Sequence, residues 1–103
     1  MTKREILFNY NQAIRQAEKL EQLAQRLGRL SSERMEDAIG QLKIAWQSDS
    51  SPQYYEKMGK VQWDIRDTSK EIDRIARDIK DAAEAMKKAE LRALEIATSR
   101  TYK

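Results

Sequence analysis

From Tyr54 onward, apolar or small residues return at alternating steps of four and three: Tyr54, Met58, Val61, Ile65, Thr68, Ile72, Ile75, Ile79, Ala82, Met86, Ala89, Ala93 and Ile96. A seam held for about six heptads is the signature of an amphipathic helix that packs lengthwise on another helix. The first half of the chain follows the same rule through Ile6, Tyr10, Ala13, Ala17, Leu20, Ala24, Leu27 and Ser31, then Met35, Ala38, Leu42 and Ala45. Two consecutive steps of four between Leu27 and Met35 shift the phase there, beside Gly28 and Ser32. A break at that point would give three helices. An isolated glycine costs a helix only about 1 kcal/mol against alanine, so one continuous helix is favoured.

Turn formers gather densely once, in the run Gln47, Ser48, Asp49, Ser50, Ser51 and Pro52. The pattern predicts one domain with helix 1 over 3–47, a turn at 48–50, helix 2 over 51–98 and a short C-terminal tail. Pro52 suits a first helical position, where its missing N–H would be unpaired anyway, and the Ser51 hydroxyl is placed to accept from an early amide. In an antiparallel hairpin, facing residues have numbers that add to a constant. Leu20 with Ile79, Leu27 with Ile72, Ala24 with Ile75, Ala13 with Met86 and Tyr10 with Ala89 share one such constant, and polar Ser31 falls opposite polar Thr68. The chain is therefore read as all-α, an antiparallel two-helix hairpin. Its expected hairpin and dimer core is Leu20, Leu27, Leu42, Met58, Ile65, Ile72 and Ile79. Residues beside the seam, among them Ile14, Leu23, Leu30, Ile39, Ile44, Tyr55, Ala76 and Leu94, widen the apolar stripe beyond what one hairpin covers. Pairing of two hairpins into a four-helix bundle would bury it.

Composition narrows the chemistry. The 103 residues include no His and no Cys, which removes the commonest general base, the thiolate nucleophile and the usual zinc ligands. Asp64, Asp67, Glu71 and Asp73 lack both a His and the loop spacing of a calcium site. A non-enzymatic protein without metal or cofactor is expected. The 20 Lys and Arg are interspersed with 17 Asp and Glu, giving a net charge of +3 without a basic block, so nucleic acid is not an expected partner. Opposite charges on helix 2 recur at i,i+4, as in Glu84 with Lys88, and read as a solvated face. No apolar run is long enough for a membrane span, and residues 1–10 lack the apolar centre of a cleavable signal peptide.

At the predicted turn, Trp46 closes helix 1, the small Ser48 follows two positions later, and the aromatic Tyr54 stands eight positions after the Trp. With the length near one hundred residues, this tip resembles the WXG (Trp-x-Gly) family, the small helical-hairpin substrates of type VII secretion of the early secretory antigen type. Ser48 stands where the family usually has Gly, whose tolerance of positive φ closes the turn, so Asp49 or Ser50 is expected to absorb the bend. The resemblance implies a bacterial protein that is cytoplasmic before export and is secreted without a cleavable signal peptide. It also implies recognition by the secretion ATPase and dimerisation with itself, a related hairpin or an effector's helical domain. Family members often carry Tyr-x-x-x-Asp or Tyr-x-x-x-Glu after helix 2. Here Tyr102 is followed only by Lys103, and Tyr54 and Tyr55 are followed four later by Met58 and Gly59. On that resemblance the missing signal belongs to a partner, which implies a companion role for a larger effector.

Trp63 lies off the helix 2 seam and is expected to stay at least partly exposed, a candidate contact residue. Trp46, Ser48, Tyr54 and Trp63 are thus the expected recognition residues. The competing reading of the same fold is a cytosolic coiled-coil adaptor with no secretion role, in which Trp46 merely plugs the tip against Tyr54.

Overall fold

The structure is a computed structural model that describes residues 1–101; Tyr102 and Lys103, where the tail's tyrosine lies, fall outside the described residues. Among the described residues it is all-helical and contains no strand. Helix α1 spans Lys3–Arg29, a π-helical segment spans Leu30–Met35, α2 spans Glu36–Ala45 and α3 spans Ser51–Thr101. Helix α3 therefore runs three residues beyond the expected end. The first helical run stops two residues short of it, because Trp46 turns to extended backbone at φ −120° and ψ 100°. None of the described helices is long and apolar enough to cross a membrane.

The chain divides into two compact units, one made of Met1–Leu20 with the chain from Arg74 onward, the other of Glu21–Asp73. In the second unit the contacts run in opposite directions along the two helices. Ser69 Oγ donates to the Ala24 carbonyl at 2.6 Å, Gln62 Nε2 to the Ser31 carbonyl at 2.7 Å, and Tyr55 Oη to the Leu42 carbonyl at 3.2 Å. Thr68, expected opposite Ser31, is exposed, and the Ser31 hydroxyl turns back to the Gly28 carbonyl. In the first unit Lys87 stands 4.0 Å from the Tyr10 ring centroid, where Ala89 was expected.

Half of the α3 seam is displaced by one residue. Met58, Ile65, Ile72 and Ile79 are half-buried, yet Val61, Ile75 and Met86 are 51%, 53% and 61% exposed. The inward places go to Tyr55, Gln62, Ser69, Ala76 and Ala83, each seven residues after the last. The reason is close approach. Ala17, Ala24 and Ser31 are almost fully buried on the first run and Ala76 on α3, and such small side chains let backbones come near enough for Tyr55, Gln62 and Ser69 to reach carbonyls. A Cβ added at Gly28 would lie 3.3 Å from Ser69 Oγ, tighter than a normal contact, so this glycine serves proximity and not a turn. Leu20, Leu27 and Leu42 are half-buried on the opposing run.

The phase shift near Gly28 is resolved by the π-helical segment, neither a break nor a plain α-helix. Its wider turn lets Ser31 and Met35 both face inward and carries the phase one residue further. Beyond it Ile39 and Trp46 turn inward, and Ala38 and Ala45, the expected seam residues, are exposed. In the first unit Glu84 forms ion pairs with Lys87 at 3.3 Å and Lys88 at 3.9 Å. The hydrogen bond between Tyr10 and Glu84 raises the tyrosine's pKa and lowers the carboxyl's.

Candidate functional site

The connection between α2 and α3 gathers Trp46, Tyr54 and Tyr55 into one tip. Trp46 is half-buried and its N–H still donates to the Leu42 carbonyl at 2.8 Å, so the ring is anchored by the last turn of α2. The Tyr54 ring lies 5.3 Å from it at a tilt of 40°, and the Tyr55 ring meets it edge-on at 6.1 Å and 80°. Both are favourable aromatic geometries. The Tyr55 hydroxyl is shared between the Leu42 and Trp46 carbonyls, which ties α3 to the C-terminal end of α2. Lys43 and Lys57 extend over Tyr55 and Tyr54 at 5.9 and 5.6 Å.

Ser48 needs no glycine freedom: no described residue of the chain has positive φ. The turn closes instead by a reciprocal bridge. Ser51 Oγ donates to the Ser48 carbonyl at 2.8 Å and accepts from the Ser48 N–H at 3.1 Å, and the Ser51 N–H also reaches the Ser48 carbonyl. The expected role of Ser51 is thereby corrected, since its hydroxyl faces back into the turn and not forward into α3. Ser48 is exposed, and its hydroxyl meets that of Ser50 at 3.3 Å. A shallow hollow of about 400 Å³ beside Trp46 is lined by Lys43, Gln47, Asp49, Pro52 and Tyr55 among others. Tyr55→Phe should lower stability by about 1–2 kcal/mol in a urea titration, through the loss of a hydroxyl that serves two carbonyls.

Trp63 is not part of this tip. It is 61% exposed, with the Arg66 guanidinium 5.4 Å from its ring, and together with Ser32, Glu36 and Gln62 these residues line a second hollow of about 300 Å³. The structure therefore brings Trp46, Ser48 and Tyr54 together and leaves Trp63 on a separate surface. Two residues matter most for the local structure: Tyr55, which the sequence placed only beside the seam, and Gln62, which it did not single out. Tyr55 closes the tip, and Gln62 binds both the Ser31 carbonyl and the Glu36 carboxylate, each at 2.7 Å. Their seven-residue spacing, continued by Ser69 and Ala76, was the available signal. No family model, no curated protein and no solved structure matches the chain.

Proposed function

We propose that this chain is a non-enzymatic substrate or companion of type VII secretion, acting through helix–helix association and through its aromatic tip. In this reading the two helical runs form one antiparallel hairpin, and hairpins pair into a four-helix bundle with a second copy or an effector's helical domain. The observation that carries the reading is the tip itself: Trp46 is clamped between two tyrosines at the end of the helices, next to an exposed hydroxylated turn. A helical core alone has no need of three aromatic rings at a solvent-facing turn, whereas a recognition element does, because aromatic rings present large contact area at little rotamer cost. The secretion ATPase is the proposed reader of that tip, and the effector is the proposed bearer of the missing export signal.

Export and melting temperature of Trp46→Ala, measured in the same cells and on the same purified variant, test this. The expected result is a chain that keeps its helices and is no longer exported. Should export and folding fail together, the ring is a plug and the adaptor reading takes over. Retention of both would remove the tip from recognition altogether.

A further inference from the structure

The hollow of about 300 Å³ in the unit Glu21–Asp73 is lined by Ser32, Glu36, Gln62, Trp63 and Arg66. Both N–H groups of the Gln62 amide are taken, by the Ser31 carbonyl and by Glu36 Oε2, each at 2.7 Å. Two acceptors hold the amide that way round, so its own oxygen is left to accept. The Ser32 hydroxyl gives its proton to the Gly28 carbonyl at 2.9 Å, and it too can only accept from an occupant of the hollow. Glu36 Oε1 carries no hydrogen bond among the described residues, and a carboxylate offers acceptors alone. These acceptors stand together. Gln62 bonds Glu36 directly, and Ser32 precedes Glu36 by four residues, about one turn along the same face.

The free donors belong to Arg66, whose guanidinium has no ion pair or hydrogen bond among the described residues and lies 5.4 Å from the Trp63 ring centroid. The contacts here run antiparallel, so Arg66, four residues past Gln62, sits about 6 Å further from the tip, at the end of the hollow away from Glu36. Glu36 and Arg66 thus share one hollow without pairing. Trp63, 61% exposed, supplies its apolar wall.

We infer that this hollow binds a free amino acid with an apolar side chain. An ammonium group has three N–H donors and no acceptor, which matches the oxygens of Glu36, Gln62 and Ser32. The ligand's carboxylate takes the Arg66 guanidinium, whose planar fork suits two-point contact, and its side chain lies along the Trp63 ring. A simple anion would meet the Glu36 carboxylate, and a simple cation would leave Arg66 unanswered. Charge therefore selects a small molecule that carries both signs. Neither the aromatic tip nor any secretion component takes part, so this site stands or falls independently of the export reading.

The test is titration of the purified full chain with L-leucine, followed by nuclear magnetic resonance, with the Trp63 indole signal identified by its loss in Trp63→Phe. Saturable shifts of that indole and of the Gln62 side-chain amide are expected, with a dissociation constant on the order of 1–10 mM for so small a ligand in an open site. L-leucinamide lacks the carboxylate and isocaproate lacks the ammonium. Each should bind the parent chain about ten-fold more weakly or not at all. Arg66→Gln should weaken L-leucine to the level of L-leucinamide and leave L-leucinamide unchanged, whereas Glu36→Gln should weaken both. Both residues are exposed, so native circular dichroism is expected of each variant. The comparison of analogues needs the parent chain alone, so it decides whatever the variants do. Absence of saturable shifts at Trp63, L-leucinamide or isocaproate binding as well as L-leucine, or natively helical variants that bind L-leucine undiminished would overturn the inference.

Discussion

Ala24→Asp should leave the chain without a cooperative helical transition at 25 °C. Ala24 is 3% exposed, and its carbonyl receives the Ser69 hydroxyl at 2.6 Å, so α3 passes over the position with no space for a larger group. A carboxylate there would lose its hydration without gaining a donor, and forcing the helices apart would also release the Ser69 bond. Together these cost on the order of 3–5 kcal/mol, comparable with the whole stability of a small domain. Gln25→Asp, on the adjacent exposed position, should change stability by less than about 0.5 kcal/mol. Far-ultraviolet circular dichroism in a urea titration at one fixed protein concentration compares the two. Equal stability of the pair would mean that the small-residue seam is not where the helices meet.

Gln62→Leu should cost about 1–3 kcal/mol, the penalty of leaving a carbonyl unpaired within a helix interface. In the π-helical segment the Glu36 N–H turns to the Glu33 carbonyl, so the Ser31 carbonyl depends on the Gln62 amide. Gln62→Glu should be worse near neutral pH, since its carboxylate cannot donate and would face Glu36. Acidification should recover part of the loss as the new carboxyl gains a proton to donate. Urea midpoints of both variants across pH check the ordering; a Gln62→Glu chain as stable as the parent at pH 7 would show that the segment needs no side-chain support.

The helical character, the mid-chain turn and the phase anomaly near Gly28 were all legible in the sequence, because they rest on apolar periodicity and on a dense run of turn formers. The rotation of α3 was not. Periodicity ranks Val61 and Ile75 as core on hydrophobicity, and it has no way to weigh that gain against the close approach and the carbonyl bonds that Gln62, Ser69 and Ala76 allow. The tip was legible in part. Trp46, Ser48 and Tyr54 could be grouped by spacing, but Tyr55 and Tyr54 are neighbours in sequence and differ only in the helical phase that decides which one reaches the Leu42 carbonyl. The bend was expected at Asp49 or Ser50, and the turn falls on those two residues; what spacing could not show is that the Ser51 hydroxyl closes it without any left-handed residue.

The six residues of the π-helical segment hold one more residue than the path of an α-helix would need there, and everything beyond them inherits that surplus. Removing one residue between Leu30 and Met35 should therefore restore continuous α-helix through this region while leaving Ile39 and Trp46 on the inward face, because the lost residue is the one the wider turn accommodates.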